Sequence, residues 1–150
     1  GNDVIIKGSS RIEVVDKYGE FEYSPSLEIG NNTCIEFNLH ISCINKITIK
    51  ENVMIAGNVT IVDNNHGYED ITIPVSKQEL KSNGEVIIDE GSFIGMGARI
   101  MPGVKIGKNC VIGANSVITK SIPDYSVVVG IPGKIIKRFD MEKREWIKIQ

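Results

Sequence analysis

The sequence is poor in the residues that build disulfide frameworks and metal sites. Its 150 residues include three cysteines, at positions 34, 43 and 110, and no Cys-x-x-Cys pair. This odd, unpatterned set argues against a disulfide framework and a structural zinc site, and a reducing cytoplasm is the expected compartment. Only two histidines are present, whereas a catalytic zinc site takes several protein ligands that are commonly histidines. We therefore expect no metal.

The sequence also lacks a surplus of positive charge and any long apolar run. Lys and Arg number 17 against 19 Asp and Glu, for a net charge of -2, which disfavours a nucleic-acid partner. No apolar stretch approaches the roughly 18 residues of a membrane-spanning helix, so we expect no membrane insertion. No secretory leader is recognisable. The chain starts at Gly1 rather than Met, and whether the natural chain begins earlier is left open.

Isoleucine, by contrast, recurs at every sixth position through the second half of the chain. These positions are Ile88, Ile94, Ile100, Ile106, Ile112 and Ile118. The fourth residue after each of them is small or apolar, as in Ser92, Ala98 and Val104. A similar register is found upstream at Ile29, Ile35, Cys43, Ile49, Ile55 and Ile61. The step from Ile35 to Cys43 is eight residues, which we interpret as a two-residue insertion in a turn.

A period of six matches neither a helix, with about 3.6 residues per turn, nor a simple alternating strand. It fits a short strand and a turn, repeated, with one isoleucine of each strand pointing inward. Pro102 and Gly103 would interrupt a helix, and turn residues such as Gly30-Asn31-Asn32 tolerate positive φ. The pattern predicts an all-β fold, a parallel β-helix whose stacked isoleucines form the core.

We divide the chain, a single domain over residues 1–150, by where this period holds. Residues 1–28 are predicted to form an irregular first coil, and residues 29–122 the hexapeptide repeats. An extended loop at about 64–85 interrupts the repeats. The period fades after Pro123, and we predict a short C-terminal helix over 139–149, capped by Asp140, that covers the open end.

Candidates for chemistry lie where the chain departs from the repeat, since a fold alone does not give a function. The loop at 64–85 carries His66, and an imidazole with an unperturbed pKa of about 6.5 suits a general base at neutral pH. Asp63, Glu69 and Asp70 are close enough in sequence to orient it. The alternative is a solvated loop histidine. His40 falls in a regular turn and is interpreted as a surface residue.

Other reactive residue types are assigned simpler roles. Cys43 and Cys110 fall on inward repeat positions without a neighbouring histidine, which disfavours a cysteine nucleophile. Lys134 and Lys137 follow the Gly130–Gly133 turn. Such side chains suit a phosphate-bearing ligand, and a solvated polar face is the alternative.

Several runs in the second half are typical of one family. They are Gly91–Gly95, Ile106–Asn109, Ile112–Lys120 and Val129–Lys134. With these runs the chain resembles the hexapeptide-repeat acyltransferases, most closely the O-acetyltransferases of the galactoside, maltose and polysaccharide-modifying kind. The similarity extends over about residues 29–138, and His66 stands where this family has an extended loop with a histidine.

This resemblance implies a left-handed β-helix and a homotrimer with cofactor clefts between neighbouring copies. It implies acetyl-CoA as the donor and His66 as the base that takes a proton from an acceptor hydroxyl. The hydroxyl then attacks the thioester directly, without an acyl-enzyme. By the same resemblance, the backbone amide of Met96 steadies the thioester oxygen. The other cofactor-binding positions that it implies are Ala114, Thr119, Lys134 and Lys137.

Departures from the galactoside enzymes bear on the acceptor. The run Cys34–Asn38 matches a Tyr-x-Asn-Phe-Asn run of those enzymes, so the acceptor-binding positions become Glu36, in place of an asparagine, and Asn38. Glu36 would orient His66 or meet a different acceptor. Phe93 replaces a tryptophan common in the family, and the helical N-terminal region that holds galactosides and maltose is not found. The resemblance therefore implies a sugar hydroxyl of a surface polysaccharide or its precursor.

Two other functions remain open. The acceptor of an acetyltransferase could instead be a xenobiotic, serine, or the amino group of a nucleotide sugar, and the charge of Glu36 suits an amine. A non-catalytic β-helix, acting as a scaffold or a binding protein, would need neither the His66 loop nor the basic C-terminal turn.

Overall fold

The computed structural model describes residues 1–149 as short strands separated by tight turns. In chain order the strands are β1 (Ile5–Ile6), β2 (Arg11–Val14), β3 (Lys17–Tyr18), β4 (Phe21–Glu22), β5 (Ser26–Ile29), β6 (Cys34–Ile35), β7 (His40–Cys43), β8 (Lys46–Ile49), β9 (Met54–Ile55), β10 (Thr60–Val62), β11 (Asn65–His66), β12 (Leu80–Lys81), β13 (Val86–Ile88), β14 (Phe93–Ile94), β15 (Arg99–Ile100), β16 (Lys105–Ile106), β17 (Val111–Ile112), β18 (Val117–Ile118), β19 (Ser126–Val129), β20 (Lys134–Asp140) and β21 (Glu145–Lys148). One 3-10 turn spans Val75–Lys77. Within residues 1–149, no helix has the length and apolar character needed to cross a membrane.

The strands stack into three parallel sheets that enclose one core. Face A runs β1-β6-β9-β14-β17-β19, face B runs β2-β7-β10-β15-β18, and face C runs β5-β8-β13-β16. Each full coil contributes one strand to each face in the order A, B, C, so a strand pairs with its equivalents in the coils above and below. The parallel β-helix predicted from the six-residue period is confirmed.

Ladders of branched residues fill the interior between the three faces. On face A the residues in register are Ile6, Ile35, Ile55, Ile94, Ile112 and Val128. On face B they are Ile12, Ile41, Ile61, Ile100 and Ile118. On face C they are Ile29, Ile49, Ile88 and Ile106. The isoleucines of the middle coils have no solvent exposure, and β-branched side chains suit this pleated packing.

The upstream register differs from the prediction at one position. Ile41, not Cys43, is the member of the face B ladder. Both side chains point inward, because they are two residues apart on the four-residue strand β7. The eight-residue step therefore runs from Ile41 to Ile49, and the additional residues lie in the turn between β7 and β8. Periodicity alone could not choose between two inward residues of one strand.

The predicted C-terminal helix over 139–149 is wrong, because this segment belongs to a β-hairpin. Strand β20 pairs antiparallel with β19 and then with β21, which extends face A. Phe139 and Trp146 face each other edge to face, with ring centroids 5.5 Å apart. Asp140 accepts hydrogen bonds from the N–H groups of Glu142 and Lys143, both at 2.9 Å. Asp140, predicted to cap a helix, thus closes the turn of the hairpin instead. A short isolated helix has little stability of its own, and the edge of β19 offers unpaired backbone groups to a further strand.

Two segments leave the stack of coils. The extended loop at 64–85 is present between β10 and β13, and it contains the antiparallel pair β11–β12. In the first coil, β1, β2 and β5 join the three faces, and a hairpin of β3 and β4 projects between β2 and β5. Both segments follow strands of face B, so they emerge from the same edge of the prism.

The buried ladder predicts a large effect of truncation at Ile100, which has no solvent exposure. We expect Ile100→Ala to lower the free energy of unfolding by about 2–5 kcal/mol, because it removes buried methyl groups and leaves a cavity. Ile71, which is 96% exposed, provides the control, and Ile71→Ala should be neutral within about 0.5 kcal/mol. Denaturant unfolding measures both, and equal effects would contradict the assignment of the core.

Candidate active site

His66 lies on strand β11 of the loop that interrupts the repeat. The strand pairs with β12, which places His66 opposite Leu80. The imidazole is exposed in the single chain. Its ring meets the ring of Tyr18 edge to face, with centroids 5.5 Å apart and an interplanar angle of 69°. A hairpin in the first coil therefore contacts the candidate base across a long separation in sequence.

The same hairpin is hydrogen-bonded to the loop at two further points. The Tyr18 hydroxyl donates to the carbonyl oxygen of Ser76 at 2.9 Å. The N–H of Leu80 donates to the hydroxyl oxygen of Tyr23 at 2.9 Å. These bonds hold the 3-10 turn and the returning strand β12, which pairs with the strand that carries His66.

A buried carboxylate fixes the point where the loop leaves the coils. Asp63 has no solvent exposure, and it accepts hydrogen bonds from the N–H groups of Ile44 and Asn45, both at 2.9 Å. The amide of Asn64 donates to Asp63 at 3.0 Å and to the carbonyl oxygen of Ser42 at 3.0 Å. The enlarged turn between β7 and β8 is therefore tied to the root of the loop. A buried carboxylate of this kind is stable only because its oxygens are satisfied.

The carboxylates that were expected to orient His66 make their bonds elsewhere. Asp63 holds the turn just described. Glu69 lies 3.0 Å from the ammonium of Lys81, and this hydrogen bond lowers the pKa of Glu69. Asp70 accepts hydrogen bonds from Thr72, which lower its pKa. Sequence reasoning missed Tyr18, because an aromatic residue before a turn glycine does not reveal a partner so far along the chain.

Four of the expected site residues lie on the edge where face A turns into face B. They are Glu36, Asn38, Met96 and Ala114. Glu36 forms an ion pair with Lys7 at 2.8 Å, and Asn38 donates to the side-chain oxygen of Asn58 at 2.6 Å. The turns stack through backbone bonds such as Asn115 N–H to the Met96 carbonyl at 2.8 Å. Met96 and Ala114 are therefore neighbours in successive coils.

The backbone amides on this edge are available to a ligand. Within residues 1–149, the N–H groups of Met96 and Ala114 donate no hydrogen bond, whereas those of the flanking Gly95 and Gly97 are bonded to the neighbouring coils. Met96 is also half-exposed. A fixed, unpaired N–H on a rigid edge suits the role of a donor to a developing oxyanion.

The remaining cofactor candidates surround the last coils. Thr119 follows β18, at the edge of face B opposite to the edge that carries Ala114, and it is exposed. Lys134 and Lys137 lie on β20, opposite Val129 and Val127 respectively. The structure therefore brings together Met96 with Ala114, and Lys134 with Lys137.

The complete set does not converge within one chain. Glu36 and Met96 precede strands of face B, whereas the loop with His66 follows a strand of face B. The candidate base and the candidate oxyanion donor thus stand at opposite edges of that face. Glu36 pairs with Lys7 at this distant edge, so within one chain it does not orient His66.

The second histidine and the buried thiols offer no competing site. His40 is half-exposed, with its Nε2 3.3 Å from a carboxylate oxygen of Glu13. Burial and the neighbouring carboxylate of Asp63 raise the pKa of Cys43 to about 12, and burial raises the pKa of Cys110. Neither thiol is poised as a nucleophile. Across the described chain, no group of three His, Cys, Asp or Glu side chains is placed to hold a metal ion.

Residues 85–120 match the family model described as bacterial transferase hexapeptide (six repeats). A putative lipopolysaccharide biosynthesis O-acetyl transferase of Escherichia coli K12 is 35% identical over 125 residues, covering 79% of this chain and 63% of the relative. A galactoside O-acetyltransferase of the same organism is 39% identical over 134 residues, covering 85% and 62%. The chain thus spans less than two thirds of the length of these curated relatives.

Solved structures show the same similarity. A maltose O-acetyltransferase from Clostridium difficile 630 superposes with a TM-score of 0.68 at 37% identity, covering 76% of this chain and 59% of that one. A galactoside acetyltransferase in complex with coenzyme A superposes with a TM-score of 0.70 at 29% identity, covering 99% and 72%.

The bonds of Asp63 predict that its side chain stabilises the loop root. We expect Asp63→Ala to lower the free energy of unfolding by about 2–4 kcal/mol, because the N–H of Ile44 loses its partner in a buried turn. Asp70 is exposed, and in the described part of the chain its carboxylate accepts hydrogen bonds only from Thr72 two residues away, so Asp70→Ala should be neutral within about 0.5 kcal/mol. Denaturant unfolding compares the two variants. A neutral Asp63→Ala would show that the carboxylate does not hold the turn.

Proposed function

Because this chain belongs to the hexapeptide-repeat family of bacterial transferases, we propose that it is an acetyl-CoA-dependent O-acetyltransferase that modifies a hydroxyl of a sugar or surface polysaccharide. Its fold is the left-handed parallel β-helix of that family. Relatives named as O-acetyltransferases of lipopolysaccharide and galactoside support the activity. The observation that carries the proposal is an exposed His66 on a loop held by Asp63, Tyr18 and Tyr23.

In the proposed reaction, His66 acts on the acceptor and not on the donor. It takes the proton of the acceptor hydroxyl as the oxygen attacks the thioester carbonyl of acetyl-CoA, and a positioned base contributes about 10²–10⁴-fold. The tetrahedral intermediate collapses with cleavage of the C–S bond, and the imidazolium of His66 returns the proton to the leaving sulfur, so that CoA departs as the thiol and the base is restored. We propose that the transfer is direct, and the burial and raised pKa values of the Cys43 and Cys110 thiols support this by disfavouring an acyl-enzyme on either of them.

The donor is proposed to bind along the outer surface of the last coils. The unpaired N–H of Met96 would stabilise the oxyanion, and a donor of this kind contributes roughly 10²–10³-fold. Ala114 and Thr119 would contact the pantetheine arm and the nucleotide, and Lys134 and Lys137 would meet its phosphates. We place the reaction in the cytoplasm, where the free thiols of the three cysteines are compatible with a reducing environment.

Exposed apolar side chains on face A support assembly into a homotrimer. The outward residues in register across this face are Ile5, Cys34, Met54, Phe93, Val111 and Val127. Ile5 and Met54 are more than half exposed in the single chain. The outer side of face C is more polar: it carries the Glu28–Lys46 ion pair, Thr48 and Lys105, with Ile87 as the apolar residue between the last two. A contiguous apolar stripe on one face is typical of a protein interface.

The same assembly would complete the site. His66 and Met96 stand at opposite edges of face B in one chain, so a cleft between two copies can join the loop of one to the turn edge of its neighbour. The carboxylate of Glu36 already has a cationic partner in Lys7. It is therefore less suited to bind an amine, which favours a neutral hydroxyl as the acceptor.

Replacement of His66 tests the proposed chemistry. We expect His66→Ala to lower kcat by about 10²–10⁴-fold, because the acceptor loses its base, with an unchanged Kd for acetyl-CoA. Thiol release from acetyl-CoA across a panel of sugars, nucleotide sugars and polysaccharides measures the rate, and calorimetry measures the Kd. His40→Ala is the matched control and should retain activity. A variant of His66 that keeps more than a tenth of the rate would exclude the general-base role.

Replacement of Met54 tests the trimer. We expect the wild-type protein to have three times the 16.5 kDa mass of one chain. Light scattering after gel filtration measures this mass. Met54→Glu should shift it toward the monomer, because a charge in a desolvated apolar interface is costly. Lys105→Glu, on the outer side of face C, should leave the assembly intact. A trimer that survives Met54→Glu would place the interface elsewhere.

A further inference from the structure

The hairpin of β3 and β4 is an addition to the regular coil. The chain leaves the first coil after β2, and the N–H of Tyr23 closes the hairpin by donating to the carbonyl of Asp16 at 2.8 Å. Gly19 takes the left-handed conformation that the tight turn requires, with φ of 62°. Tyr18, Phe21 and Tyr23 are three of the chain's nine Phe, Trp and Tyr residues. Such a concentration of aromatic residues is not needed to continue the β-helix.

A cleft of about 340 Å³ lies between this hairpin and the 3-10 turn of the His66 loop. It is lined by Tyr18, Gly19, Glu20, Phe21, Ser76 and Lys77. Phe21 is 36% exposed, so an apolar ring surface is open to the cleft. Pockets for small molecules begin at roughly 300 Å³, which makes this cleft large enough for a single sugar ring.

The lining has the chemistry of a carbohydrate site. A pyranose presents apolar C–H faces and a rim of hydroxyl groups, and it binds where an aromatic surface adjoins hydrogen-bonding groups. Here two aromatic residues, Tyr18 and Phe21, line the cleft together with the charged residues Glu20 and Lys77. One charge of each sign disfavours a strongly anionic ligand such as a phosphate group, which would call for a cluster of positive charge.

Tyr18 joins this cleft to His66. Its ring lines the cleft and also meets the imidazole edge to face at a centroid separation of 5.5 Å. Its hydroxyl is fixed on the carbonyl of Ser76, on the opposite wall, at 2.9 Å. His66 itself does not line the cleft, so Tyr18 is the side chain that lies between a ligand in the cleft and the candidate base.

We propose that the cleft between the Lys17–Glu22 hairpin and the Val75–Lys77 turn binds a sugar ring of the acceptor, with Phe21 as its apolar platform. This inference rests on the proposed acetyltransferase function, and it names the element that selects the acceptor. Tyr18 is then a positioning residue that relates the sugar to His66, and the hairpin and the loop form one recognition unit.

The experiment separates binding of a sugar from transfer of the acetyl group. Methyl β-galactoside, methyl α-glucoside and methyl N-acetylglucosaminide serve as probes of this 150-residue chain without acetyl-CoA, and NMR follows the shifts of backbone amides. We expect at least one glycoside to shift residues 17–22 and 75–77. In Phe21→Ala its Kd should rise about fivefold or more, because the aromatic platform is lost, while Phe21→Tyr should restore it.

Met141, an exposed apolar residue in the turn of the other hairpin, provides the control, and Met141→Ala should leave the glycoside Kd unchanged. All variants should bind acetyl-CoA as the wild type does. If no probe shifts the cleft, or if Phe21→Ala binds a glycoside as tightly as wild type, the cleft is not a sugar site. If a glycoside binds there and Phe21→Ala weakens it, the cleft is a sugar site even when no acetyl transfer follows; in that case the proposed activity, and with it the acceptor role of the sugar, fails.

Discussion

The inward packing of one isoleucine per strand is the constraint on which the rest of the structure depends. The ladder side chains of successive coils belong to one buried cluster, so each coil must present a branched apolar side chain of similar size at each face for the interior to pack closely. This requirement sets the six-residue period, the register of the parallel strands and the stacking of the turns. Any residue that follows the ladder is held in a position that the repeat determines.

The candidate site is built from departures from that rule. The step from Ile41 to Ile49 is two residues longer than the step from Ile100 to Ile106. Within the longer step, the N–H groups of Ile44 and Asn45 donate hydrogen bonds to Asp63 of the next coil. The chain then leaves the coil with His66, and the first-coil hairpin supports it through Tyr18 and Tyr23. The regular coils thus provide a rigid scaffold, and the irregular segments carry the candidate catalytic side chain.

In the proposed assembly, the two edges of face B bind different substrates, and each active site combines one edge from each of two neighbouring copies. The turn edge with Met96 and Ala114 carries unpaired N–H groups that suit the donor, and the other edge carries the loop, the hairpin and the cleft that suit the acceptor. A single prism cannot bend one edge toward the other, since its core is closely packed. The apolar stripe on face A gives a physical reason for copies to associate and bring the two edges together.

The sequence by itself determined the repeat, the class of fold and the interrupting loop with His66, because a period of six and its interruption are local properties of the chain. It could not distinguish Ile41 from Cys43 in the ladder, since both point inward from β7. It also could not show that residues 139–149 extend a sheet, because the free edge of β19 exists only after the coils have stacked. The contact of Tyr18 with His66 was likewise decided by the tertiary structure: two segments far apart in sequence meet because the stacking of the coils places both on the same edge.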